Sequence, residues 1–151
     1  MKEISQKELE EELALKLFVV LNRAQEAAQR QSAADIKRYG LNLSEFAVLE
    51  LLYNKGEQPI QMIGKKVLLA SSSMTYVIDK LAKKEFLARR ACPNDRRVTY
   101  AYLTDKGTEL MDGIFPQHQA AMATIFAGLT TEEKEQAITL IKKAGLFADD
   151  Q

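Results

Sequence analysis

Residues 71–107 read SSSMTYVIDKLAKKEFLARRACPNDRRVTYAYLTDKG, and the apolar period changes halfway along them. In the first half Met74, Val77, Ile78 and Leu81 have the three-and-four spacing of a helix with one buried face, and the serine run before them can cap it. Its outer face then carries Ser73, Thr75, Tyr76, Asp79, Lys80, Lys83 and Lys84. In the second half an arm over residues 87–91 meets a turn at Pro93, Asn94 and Asp95. On the return arm Val98, Tyr100 and Tyr102 alternate with Thr99, Ala101 and Leu103. Such a hairpin throws Arg96 and Arg97 out near its tip. Thr104 can cap the helix that follows.

Upstream, residues 39–59 (YGLNLSEFAVLELLYNKGEQP) break at Gly40, offer Ser44 as an N-cap, and predict a helix through Phe46, Leu49 and Leu52 that stops at residues 54–56. Pro59 suits the first turn of a short helix, PIQMIGKKV. A short helix, a turn, and a second helix with a polar and basic outer face make the order of a helix-turn-helix.

The ends carry longer helices. Leu9, Leu13, Leu17, Val20, Ala24 and Ala28 form one apolar stripe over residues 8–30. Beyond Thr104, Leu110, Ile114, His118, Met122 and Ile125 predict a helix with a kink at Pro116. Thr130 and Glu133 make a Thr-x-x-Glu capping box that opens a last helix through Ala137, Ile141 and Ala144. The expected fold is mainly α with a small β-hairpin, six helices in all. The two striped ends need partners, which points to each other and to a second copy of the chain.

Composition narrows the function. The 151 residues, 46% hydrophobic, suffice for one core and one domain. One cysteine, Cys92, and one histidine, His118, leave no disulfide framework and no ordinary metal-ligand set. The N-terminal segment is charged throughout and its longest apolar run is LFVVL, so the reading is a soluble, cytoplasmic chain without a targeting or membrane segment. Net charge is zero, yet residues 55–106 hold 11 Lys and Arg against 5 Asp and Glu, while the remainder holds 10 against 16. A basic middle between acidic flanks points to an anion-binding segment.

Residues 71–107, with TYVIDKL, DRR, the alternating strand and LTDKG in that order, resemble the recognition helix, wing and post-wing helix of the multiple antibiotic resistance regulator (MarR) family of bacterial transcription factors. The resemblance is strongest over residues 41–107, and the wording around TYVIDKL and RRVTYAYL is similar to members tied to quinone or hydroquinone stress. It implies a winged helix-turn-helix lobe at residues 41–107, with residues 1–38 and 108–151 as dimerisation helices within one domain. It also implies a homodimer on a pseudo-palindromic double-stranded operator. Ser72, Ser73, Thr75, Tyr76 and Lys80 would lie in or beside the major groove. Arg96 and Arg97 would reach the minor groove or its phosphates, and Asp95 would pair with a neighbouring arginine. An arginine at a protruding tip matches the negative potential of a narrow minor groove. Lys65, Lys66, Lys83, Arg89 and Arg90 are candidate phosphate contacts. One departure is Glu85, where many members carry glycine; a left-handed backbone there costs a non-glycine residue on the order of 1 kcal/mol.

The family commonly binds aromatic or phenolic effectors, and Phe18, Tyr39, Phe46, Met62, His118 and Met122 are candidates to wall such a pocket. Plain helix packing explains the same residues. Cys92, with arginines nearby in sequence, raises a redox-sensing alternative. The expected function is a repressor released from its operator by a small molecule. A thiol-based sensor and a winged-helix protein-interaction adaptor are the alternatives. No phosphate-cradling loop, metal set or nucleophile-base pair suggests an enzyme, and no cofactor is expected.

Overall fold

Ser5 opens the first helix by a reciprocal cap. In the computed structural model, which describes residues 3–67 and 74–151, the Ser5 hydroxyl accepts the Glu8 N–H at 3.2 Å and the Glu8 carboxylate accepts the Ser5 N–H at 2.9 Å. The helix α1 (Gln6–Lys37) thus begins before its apolar stripe and runs past residue 30, about 48 Å in all. Only Asp35 and Ile36, in its last turn, are buried. Leu13, Leu15, Leu17, Phe18, Val19 and Val20 are all exposed, so this half of α1 is apolar on more than one side.

Gly40, at φ +75°, turns the chain into α2 (Leu43–Lys55). Its cap is Asn42, not the expected Ser44. Asn42 Oδ1 accepts the Glu45 N–H at 2.8 Å, while the Asn42 N–H donates to Glu45 Oε1 at 3.2 Å. Asn42 wins because it stands three residues before a glutamate and closes a reciprocal box, which leaves Ser44 inside the first turn. α2 is the centre of the core: Phe46, Val48, Leu49 and Leu52 are buried on it.

Past Gly56 the strand β1 (Gln58–Pro59) leads into α3 (Ile60–Lys66). Pro59 therefore ends a strand and takes the N-cap position of α3 instead of lying in its first turn. α4 (Met74–Lys83) buries Val77, Ile78 and Leu81 against the core. β2 (Leu87–Ala91) and β3 (Thr99–Leu103) pair antiparallel with Leu87 opposite Leu103 and Ala91 opposite Thr99. The expected hairpin is thus the larger part of a three-stranded sheet in the order β1-β3-β2, with Gln58 opposite Ala101. Ala101 is the fully buried residue of β3, while Tyr102 faces out.

The junction between α4 and the sheet explains two features of the sequence. After α4 the Glu85 N–H bonds the Ala82 carbonyl at 2.9 Å and the Phe86 N–H bonds the Leu81 carbonyl at 3.1 Å, with Glu85 at φ +65°. This paired pattern is the Schellman motif, whose left-handed position usually belongs to glycine. α5 (Asp105–Ile125) starts against this turn, capped by Thr104 through the Gly107 N–H at 3.1 Å. A Cβ on Gly107 would stand 1.9 Å from the Phe86 carbonyl oxygen, so only glycine lets the helix approach. α5 passes through Pro116 without ending. α6 (Thr131–Asp149) is opened by the Thr130–Glu133 box and has no buried residue; Ile138, Leu140, Ile141 and Phe147 are exposed.

Candidate nucleic-acid interface

α3, α4, β2 and the β2–β3 turn carry most of the basic side chains of the chain's middle. With Val77, Ile78 and Leu81 turned inward, α4 presents Thr75, Tyr76, Asp79 and Lys83 to the surface. Ser72 and Ser73, also expected here, lie outside the described residues.

The wing tip is built by Asp95. Its Oδ1 accepts the backbone N–H of Arg97 at 2.9 Å and the Arg97 Nε–H at 3.3 Å, a local turn that fixes the tip. The Cys92 N–H bonds the Val98 carbonyl at 3.0 Å and closes the neck of the loop. Gln61 of α3 donates to the Arg97 carbonyl at 2.7 Å and ties the wing to the short helix. Arg97 remains 91% exposed, and Arg96 beside it is exposed.

The other basic residues divide into two groups. Among the described residues, Lys65, Lys83 and Arg96 have no carboxylate within 4 Å. Lys55, at the end of α2, has none either, and the residues that follow are engaged inside the lobe. Arg89 of β2 pairs with Asp79 of α4. Arg90 binds Glu57 through both Nε, at 3.0 Å, and Nη2, and its guanidinium lies 4.9 Å from the Tyr100 ring centre. That pairing holds the Glu57 carboxyl below the ordinary carboxylate range and raises Arg90 further. Lys66 donates to the buried Gln58 at 2.6 Å. Lys84 meets Glu45 at 2.9 Å and Lys80 approaches the same carboxylate at 3.7 Å. Arg89 and Arg90, candidates for phosphate contact, thus also brace the wing against α4 and the α2–β1 link.

The candidate effector residues scatter. Tyr39, Phe46 and His118 come together where α1, α2 and α5 meet. The Phe46 and His118 ring centres are 4.4 Å apart. His118 Nδ1 is 3.5 Å from Asp35 and its Nε2 is 3.5 Å from Glu50, while the Tyr39 hydroxyl donates to Asp35 at 3.0 Å. Burial and the Asp35 carboxylate together raise the Tyr39 pKa. Met122 instead lines an apolar groove with Leu21, Ala24, Ala28, Phe126 and Ile141. Phe18 is exposed on α1, about 25 Å along the helix from Asp35. Met62 is exposed on α3. Sequence reading missed Asp35 and Glu50, because nothing in their local spacing shows that they flank a histidine far along the chain. Cys92 is half-buried at the wing neck.

Comparison with known proteins bears on this architecture. Residues 41–99 match the MarR family, and the chain is 51% identical over 137 residues to the HTH-type transcriptional regulator MhqR of Bacillus subtilis, covering 91% of this chain and 94% of that one. The chain belongs to the MarR family. A MarR-family regulator of Streptomyces coelicolor, Sco3205, solved in complex with DNA, superposes with a TM-score of 0.76 at 20% identity, over 95% of this chain and 92% of that one. A second structure of similar fold is BpsR of Bordetella bronchiseptica, solved in connection with regulation of its DNA binding by 6-hydroxynicotinic acid. It has a TM-score of 0.76 at 24% identity over 86% of this chain and 98% of that one. The chain is a DNA-binding transcriptional regulator of this family, with the winged helix-turn-helix fold.

Proposed function

We propose that the protein is a homodimeric, cytoplasmic repressor that grips a pseudo-palindromic operator with α4 and the wing and is released by a small aromatic or phenolic effector. The observation that carries the reading is the wing tip, where Asp95 fixes the turn through Arg97 and leaves Arg97 and its neighbour Arg96 exposed, tied to α3 through Gln61. In each protomer Thr75 and Tyr76 meet the major groove and Lys83 a phosphate, while Arg96 and Arg97 meet the minor groove and its phosphates. Residues 41–107 form the DNA-binding lobe, and residues 1–38 and 108–151 supply the dimer. The exposed apolar sides of α1 and α6 support that assignment, since a second copy would remove them from water. No helix among the described residues is long and apolar enough to cross a membrane. The reading includes no catalytic step.

The effector would enter near the α1, α2 and α5 junction, where Asp35, Glu50 and His118 offer polar partners beside Phe46. BpsR, whose DNA binding is regulated by 6-hydroxynicotinic acid, supports a small-molecule effector by likeness of fold. Quinones and hydroquinones are the first compounds to titrate against an operator complex.

Arg96→Ala and Arg97→Ala test the reading. Each should weaken operator binding and lower the salt slope by about 0.9 for each phosphate that the variant no longer neutralises. Unchanged affinity and slope in both variants would remove the wing from the interface.

A further inference from the structure

Lys80 and Lys84 lie one helical turn apart at the end of α4, in a segment that is to face DNA, yet both turn toward the same carboxylate. That carboxylate is Glu45, whose side chain is 3% exposed and which also closes the cap of α2 through Asn42. Lys83, between them in sequence, is exposed with no carboxylate within reach among the described residues. Burial alone would push the Glu45 carboxyl up, but Lys84, the Asn42 N–H and Lys80 outweigh it and leave the pKa lowered. Glu45 is therefore a buried anion that depends on these lysines, and an uncompensated buried charge is strongly unfavourable.

We infer that Glu45 is a specificity-determining positioning residue. It anchors the C-terminal end of α4 to the cap of α2 and withholds Lys80 and Lys84 from the DNA backbone. The inference rests on the reading of α4 as the DNA-facing helix. Its consequence follows from the physics of phosphate contacts, which add affinity for any duplex and no sequence information. Two lysines free to reach phosphates would strengthen random binding, and a helix released at one end would lose its register in the groove. One buried carboxylate prevents both. Because Glu45 lies three residues into α2, close after the turn that ends α1, the anchor also joins the recognition helix to the junction with the long helices.

The variant Glu45→Gln removes the charge and keeps the shape, and glutamine still serves in a capping box, so the fold is retained. The first measurement needs no DNA: brief reductive methylation of the full chain, read by peptide mass. In the wild type Lys80 and Lys84 should label several-fold more slowly than Lys83, and in Glu45→Gln they should approach it. Equal labelling in the wild type would overturn the anchor. The second is affinity for the selected operator and for a random duplex across a salt series. Glu45→Gln should lower the operator-to-random ratio about tenfold, with a random-duplex slope steeper by about 0.9 for each lysine that reaches a phosphate. Adding Lys80→Gln and Lys84→Gln to that variant should return the random-duplex slope to the wild-type value. An unchanged ratio, or an equal loss of both affinities with a lower melting temperature, would make Glu45 a merely structural residue. A wild-type chain that binds no duplex would overturn the DNA reading and the specificity role with it, while the labelling would still report whether the anchor exists.

Discussion

Glu85 shows how a single residue departs from its neighbours' logic. It holds the left-handed position of the Schellman turn at φ +65°, where a Cβ crowds the backbone. Its side chain offers little in return, since the pair with Lys106 at 3.7 Å is exposed. Glu85→Gly should therefore stabilise the protein by on the order of 1 kcal/mol. For a chain of this size that raises the thermal midpoint by about 2–4 °C. A melting curve with no rise would mean that the turn is not strained. The strain itself was readable as a glycine missing after a helix. The partners of the arginines were not. Arg90 finds Glu57 across 33 residues, and Arg89 reaches Asp79 only because β2 folds back along α4. Basic residues beside DRR looked alike in one dimension, and the fold separates the braces from the exposed pair at the tip.

At the scale of elements, the LTDKG segment is where α5 docks on the end of α4. The Phe86 carbonyl accepts the Thr104 N–H at 3.1 Å and stands where a Gly107 side chain would be. Gly107→Ala should cost about 1–3 kcal/mol or more, because backbone blocks the new methyl on a helix that cannot slide without losing its cap. Chemical denaturation would measure it, and a destabilisation under about 0.5 kcal/mol would contradict the close approach. Strong local signals made most elements legible: the period change after Leu81, the turn residues at Pro93–Asp95, and the caps at Thr104 and Thr130. The elements that escaped had weak or competing signals. β1 is only Gln58 and Pro59, too short to alternate, and exists because β3 offers it an edge. Ser44 and Asn42 both suit a cap, and the glutamate three residues after Asn42 decides between them. Ser5 and Glu8 extend α1 beyond its stripe by the same device.

For the whole molecule, the sequence carried the division into a basic lobe and two apolar ends, because charge and apolar stripes are distributed along the chain. The junction between them was less legible. His118, flanked by Asp35 and Glu50 and packed on Phe46, lies where the long helices meet the lobe, and these neighbours come from two other helices. Under the proposed function this junction is where an effector changes the separation of two lobes, and the paired lobes read the DNA. Under that reading, recognition of DNA is dimeric and sequence-specific. Selection of binding sites from random duplex DNA with the purified full chain tests it most directly. An enriched inverted repeat, with half-sites separated by roughly 34–36 Å or one helical turn, is the predicted result. Enrichment of no sequence even at low salt would contradict it, and the basic wing would then serve something other than an operator.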